Sequence, residues 1–221
     1  MSLPAAVHDI ALSVPFGDRD IQIHPVAIET DHGLILVDAA VPDAVGDIDA
    51  QLGEFDYSVE DIAIVLLTHH DADHIAGLAQ VVERSRALVC AHRDEAPYIE
   101  GRKDPVKGNW VPDLVSVDIE LVDGVTFRTD AGPMRVVATP GHSPGHCSLY
   151  FPTARTLVAG DALNVGDGLV GPKPEFTPDM DGAIESVAKL ARLDVATTHC
   201  YHGGTVDEGT SRIKRIRDEL Q

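Results

Sequence analysis

The chain has 221 residues, with 36 acidic side chains against 17 basic ones and a formal charge of −19. Its apolar fraction is 44% and its mean hydropathy is near zero, the balance of a folded globular chain and not of a disordered one. The charge argues against nucleic-acid and anionic-membrane partners, because both are polyanions that need clustered Lys and Arg.

The acid is mostly Asp (25 Asp, 11 Glu) and the base mostly Arg (12 Arg, 5 Lys). Such a surface is expected of a protein that works at high salt. Three cysteines, Cys90, Cys147 and Cys200, are too few and too scattered for a disulfide framework, so a reducing cytoplasm is expected. The first nine residues lack the basic and apolar regions of an export signal. The longest apolar run, residues 62–67, is far shorter than a membrane span. No linker or repeat divides the chain, so one domain over 1–221 is expected.

In chain order, residues 7–14, 21–28 and 34–37 read as strands, separated by turn residues at 16–18 and 31–33. Val41, Val45, Ile48 and Leu52 recur at helical spacing over 42–52. The wholly apolar run 62–67 reads as a strand covered on both faces. A helix over 75–84, a short strand over 87–90 and a short helix over 93–99 follow. Residues 101–112 are polar, rich in Gly and Pro, and contain the single tryptophan, Trp110; a loop over a site is expected there.

Strands are expected around Ile119, Thr126 and Val136, then over 149–151 and 156–159. Residues 164–178 read as a second loop, 179–193 as a helix, 195–198 as a strand and 207–220 as a closing helix. Runs of strands alternating with helices fit an α/β (α+β) fold of two mixed sheets packed face to face, with helices outside.

Four histidine- or aspartate-bearing clusters follow predicted strands. The densest is Thr68-His69-His70-Asp71-Ala72-Asp73-His74, framed by an apolar strand and an apolar helix. Five ionisable groups in six residues cannot pack as core without partners. A metal site accommodates them: in an extended loop His69, Asp71 and Asp73 would share one side, and His74 could turn back toward the same point. The other clusters are Pro-Gly-His142-Ser-Pro-Gly-His146, Gly160-Asp161 and His199-Cys-Tyr-His202-Gly.

His-x-Asp-x-Asp-His, then Pro-Gly-His, then Gly-Asp eighteen residues after His142, then a late His-Gly, resembles the metallo-beta-lactamase superfamily of dinuclear metal hydrolases. The resemblance runs from about residue 30 to about residue 204. It implies a four-layer αββα sandwich with metals at one edge of the two sheets. It implies that His69, Asp71 and His142 hold one metal, Asp73, His74 and His202 a second, and that Asp161 bridges them. It further implies that Asp38 orients a ligand imidazole and that His146 buttresses the centre.

The resemblance also implies a hydroxide shared by two divalent metal ions, with Asp73 as the catalytic residue that holds it in line, acting on a small-molecule ester, thioester, lactone or amide. Only 19 residues follow His202, short of the glutathione-binding region of glyoxalase-type thioesterases, which favours a lactone or other small ester. The family position at Asp71 is more often His. A carboxylate there hardens the site, so zinc is the expected metal with iron or manganese as alternatives, and an iron-dependent redox protein (diiron or mononuclear dioxygenase-like) is the competing function.

The remaining histidines have plainer readings. His70 points away from the cluster and reads as a packing or hydrogen-bonding residue, and His199 as structural. His8, His24, His32 and His92 read as surface or satisfied core. Cys147 and Cys200 read as small buried hydrophobes, and Trp110 as a candidate substrate wall.

Overall fold

A computed structural model describes residues 3–16, 19–108, 110 and 113–221. The turn expected at 17–18 and residues 109, 111 and 112 of the expected loop lie outside the described residues.

The first half of the chain builds β1 (Val7–Asp9), β2 (Leu12–Phe16), β3 (Arg19–Ile23), β4 (Val26–Thr30), β5 (Gly33–Val37), α1 (Val45–Gly53), β6 (Ile62–Leu67), α2 (Ala72–Ile75), α3 (Leu78–Ser85), β7 (Leu88–His92), α4 (Ala96–Ile99) and β8 (Ile119–Leu121). The second half builds β9 (Thr126–Thr129), β10 (Gly132–Ala138), β11 (Cys147–Phe151), β12 (Thr156–Val158), β13 (Asn164–Gly166), β14 (Gly168–Val170), α5 (Met180–Leu190), β15 (Thr197–Cys200), β16 (Gly204–Val206) and α6 (Thr210–Leu220). One sheet has the order β1-β4-β5-β6-β7-β8 and the other β16-β15-β12-β11-β10-β9.

Side-chain alternation along the strands makes the layers. On β5, Ile35 and Val37 face Met134, Val136, Leu149 and Phe151 of the second sheet, while Leu34 and Leu36 face outward. The outer face of the first sheet is covered by Val45, Ile48 and Leu52 of α1 and by Leu78 and Val81 of α3. The outer face of the second, through Val137, Tyr150 and Leu157, is covered by Val187 and Leu190 of α5 and Ile213 and Ile216 of α6. The result is the expected αββα sandwich, held by one apolar layer between the sheets and one under each pair of helices.

Three expectations are corrected. The strands expected over 7–14 and 21–28 are each two strands. The breaks fall at residues 10–11 and 24–25, where Pro25 has no amide hydrogen to donate to a ladder. The apolar alternation changes phase at both breaks, from Val7 to Ile10, Leu12 and Val14 and from Ile21 and Ile23 to Val26 and Ile28, and β2 and β3 leave the sheet as a separate hairpin. The loop expected over 164–178 contains the hairpin β13–β14. The helix expected over 75–84 is two helices, α2 at Ala72–Ile75 and α3 at Leu78–Ser85, with a turn between them. Among the described residues no helix is long and apolar enough to cross a membrane.

Candidate metal centre

The parallel strands β5, β6 and β7 all point their C-terminal ends at one edge of the sandwich, and β12 and β15 bring theirs to the same edge. The chemistry-bearing clusters follow these strands and β10. Asp38 leaves β5, His69 and Asp71 leave β6, His142 follows β10, Asp161 follows β12, and His202 follows β15.

The seven candidate ligands meet there as two triads with a shared carboxylate. His69, Asp71 and His142 place one nitrogen or oxygen each within 4.8 Å of one another, and so do Asp73, His74 and His202. Asp161 lies between them, its Oδ2 3.4 Å from His142 Nε2 and 3.4 Å from His202 Nε2, its Oδ1 3.6 Å from His74 Nε2.

The extended-loop reading of 69–74 is corrected at Asp73. The chain turns helical at Ala72, so successive side chains rotate by about 100° and no longer alternate. Asp73 therefore leaves the side of His69 and Asp71 and joins His202, 3.3 Å away.

Hydrogen bonding aims the ligand atoms. Asp38 is buried and held at φ 64, in the left-handed region. It accepts the Thr68 amide (2.8 Å), the Thr68 hydroxyl (2.8 Å) and His74 Nδ1–H (2.8 Å). With Thr68 Oγ1 donating to Asp38, it accepts from His69 Nδ1–H at 3.0 Å. Both imidazoles thus spend Nδ1 on the scaffold and turn Nε2 inward.

His146 is fixed as well. Its Nε2 accepts the Asp161 amide at 3.0 Å and its Nδ1 meets Thr139 Oγ1 at 2.8 Å. Both ring nitrogens are spent on the scaffold, so His146 supports the Asp161 loop and offers no atom to a metal. A Cβ on Gly160 (φ +56) would lie 2.7 Å from His146 Nε2, so this contact requires glycine there. Gly141 (φ +133) is required in the same way: a Cβ would stand 2.4 Å from the Ala183 amide nitrogen of α5 and push His142 away.

Residues that sequence reasoning did not single out complete the centre. Glu95 is wholly buried and accepts Ser143 Oγ (2.6 Å), the Gly145 amide (2.6 Å), the His70 amide (3.0 Å) and His70 Nδ1. It clamps the loop carrying His69 and Asp71 to the loop carrying His142. Tyr201 stacks on His74 with ring centroids 3.6 Å apart and donates its hydroxyl to the Asp73 carbonyl at 2.5 Å. Lys107 places its ammonium 2.5 Å from Asp71 Oδ2 and 2.7 Å from His142 Nε2. The one available signal for Glu95 was an acidic residue directly before the apolar segment 96–99.

The electrostatics favour a cation. Burial alone would raise the carboxyls of Asp71, Asp73 and Asp161, yet neighbouring imidazoles hold all three below the usual range: His69 and His142 act on Asp71, His74 and His202 on Asp73 and Asp161. Burial works to lower His74 and His202, but it is outweighed by Asp38, Asp161 and Asp73 for His74, and by Asp161 and Asp73 for His202; they rise to about 9 and about 10. His69 is pushed well down by burial and by repulsion from His74. Carboxylates that hold extra protons on two imidazoles will hold a metal ion in exchange for those protons.

The donor set fits divalent metal ions on an independent observation. His69 Nε2, His74 Nε2 and Asp161 Oδ1 are buried side-chain atoms with no hydrogen-bond partner, and they fall within 4.8 Å of one another. Leaving such groups unpaired is costly, and a shared cation is what removes the cost. The cysteines take no part: Cys147 and Cys200 are buried, and burial pushes both thiols well above their ordinary value. His70 stacks on Tyr98 and bonds Glu95; His199 bonds Thr205 Oγ1 and the His24 carbonyl, both 2.9 Å. Trp110 is exposed.

Comparison with known proteins agrees with this architecture. The family model for the metallo-beta-lactamase superfamily matches residues 19–202. The probable metallo-hydrolase YflN of Bacillus subtilis (strain 168) is 30% identical over 200 residues, 78% of this chain and 76% of that protein. A hydroxyacylglutathione hydrolase of Cereibacter sphaeroides is 32% identical over 137 residues, 62% of this chain but only 46% of that protein. The crystal structure of a metallo-beta-lactamase family protein from Thermus thermophilus superposes with a TM-score of 0.77 at 22% identity, covering 99% of this chain and 80% of that one. The chain belongs to the metallo-beta-lactamase superfamily, a group of metallo-hydrolases.

Proposed function

We propose that the protein hydrolyses a small ester, thioester, lactone or amide with two divalent metal ions, held by His69, Asp71 and His142 and by Asp73, His74 and His202, with Asp161 shared. The observation that carries this reading is the convergence of three unpartnered buried atoms from β6, α2 and the β12 loop on one point between the triads. When bound, the metals supply Lewis acidity and a nucleophilic water at neutral pH. Zinc is the first choice.

The chain's own residues do the rest. Asp38 and Thr68 hold His69 and His74 in the tautomer that points Nε2 at the centre. Asp73, a quarter exposed, lies where the centre meets solvent, so its carboxylate can orient an attacking water by accepting its hydrogen bond. The same Oδ, once protonated, can deliver that proton to the leaving oxygen, sulfur or nitrogen. We further read the chain as one domain with a small-molecule substrate and no nucleic-acid or membrane partner, supported by its charge of −19. Three free cysteines support a cytoplasmic setting, and the Asp-rich surface supports work at high salt.

A second reading, an iron-dependent redox protein on the same fold, is favoured by one feature: Asp71 puts a hard oxygen into the first triad. A panel of ester, thioester, lactone and amide substrates, run on zinc- and iron-loaded protein with and without chelator, separates the two. Hydrolysis that chelator stops and added metal restores is the expected result. Oxygen consumption by iron-loaded protein with no hydrolysis of any panel member would contradict the hydrolase reading.

A further inference from the structure

We propose that Lys107 is the residue that selects the substrate: its ammonium pairs with a carboxylate carried close to the scissile carbonyl, so the preferred substrates are anionic acyl compounds and not neutral ones. This inference rests on the hydrolase reading and deepens it.

Lys107 stands at the mouth of the first triad, one-fifth exposed, and also donates to the Phe176 carbonyl at 3.2 Å. It therefore links the polar loop that follows α4 to the loop that precedes α5, the two segments that flank the centre. Its place is not left to chance. The amide of the preceding residue, Val106, donates to His70 Nε2 at 3.3 Å, and His70 is itself held by Glu95 and stacked on Tyr98. The motif loop that carries His69 and Asp71 thus fixes the lysine through its own middle residue.

Among the described residues, Lys107 is the only lysine or arginine within ion-pair distance of any of the seven candidate ligands. The chain has five lysines in all. The lone pairs it now uses, on Asp71 Oδ2 and His142 Nε2, are those a cation in the first triad would take. His142 Nε2 has a single lone pair, which a metal ion would take, so metal binding would free one hydrogen of the ammonium from its present acceptor. An incoming carboxylate supplies a charged acceptor for it beside the Phe176 carbonyl. The net charge of −19 opposes anions at long range, but it is screened beyond about 8 Å at physiological ionic strength, and contact is decided locally. Val106 and Phe176, both exposed beside the lysine, offer apolar surface for the rest of such a substrate.

The test uses two thiols that reach the metals alike and differ in charge: mercaptoacetate and 2-mercaptoethanol. Each is titrated by calorimetry into zinc-loaded wild type, Lys107→Met, Lys107→Gln and Lys107→Arg, with zinc content measured for every protein. Wild type is expected to prefer mercaptoacetate. That preference should fall roughly tenfold in Lys107→Met and Lys107→Gln, the size of one partly exposed charge-assisted contact, and be largely kept in Lys107→Arg. Zinc content should not fall in any variant. A preference unchanged within twofold in both neutral variants, or no binding of mercaptoacetate to zinc-loaded wild type, overturns the role of Lys107 while leaving the metal centre intact. Wild type that holds no zinc overturns the metal reading itself, and this proposal with it.

Discussion

Asp73→Ala is expected to lower kcat/KM by about 10²–10⁴-fold, the range for losing a positioned proton-transfer group, with the fold retained. The side chain is a quarter exposed and its ion-pair contact is with His202 at 3.3 Å. What Asp73 contributes to structure is its backbone carbonyl, which accepts the Tyr201 hydroxyl and survives the substitution. Alanine also suits the short helix α2. Steady-state kinetics on the best ester of the panel, with a thermal melt alongside, measure both parts. Activity within tenfold of wild type would contradict the role of Asp73. A collapsed melt would show that the side chain is structural.

Asp38→Asn is expected to damage metal binding and stability together. Asparagine tolerates the left-handed backbone at φ 64, so the substitution isolates the charge from the strain. The neutral amide keeps one acceptor oxygen where Asp38 uses two, and its NH₂ would face a donor at either Thr68 or His74. Losing a buried charged partner costs about 3–5 kcal/mol when the other charge stays buried. Loss of an orienting partner behind a metal-bound imidazole lowers affinity by about 10–100-fold. A zinc competition titration and a denaturant melt measure the two effects. Unchanged affinity would contradict the orienting role.

The sign of the pH effect follows from His74. Burial favours its neutral form, but Asp38, Asp161 and Asp73 raise it from 6.5 to about 9 in the folded chain. In metal-free protein the attraction to Asp38 is fully present below about 6.5 and fades as pH rises toward about 9. Metal-free wild type should therefore lose stability over that window, and Asp38→Asn should lose less.

Much of the centre was legible in the sequence because its residues arrive in clumps directly after strands. His69, Asp71, Asp73 and His74 lie within six residues, and a strand end leaves such groups nowhere to pack. The layers were legible because side-chain alternation on strands such as β5 and helical spacing on α1 are local signals. What escaped depends on partners distant along the chain. Glu95 meets Ser143 and Gly145 some fifty positions away, and Lys107 meets Asp71, His142 and Phe176 from a polar loop with no periodicity to read. The family resemblance paired Asp73 with His202, whereas extended-loop geometry put it beside His69 and Asp71: a helix beginning at Ala72 changes the angular step per residue, and that geometry cannot show it.

Metal stoichiometry tests the central claim most directly. Elemental analysis of zinc-reconstituted wild type, His142→Ala and His202→Ala should return two metal ions per chain for wild type and about one for each variant, because each histidine belongs to a different triad. Wild type without bound metal, or two ions retained in both variants, would contradict the two-triad centre.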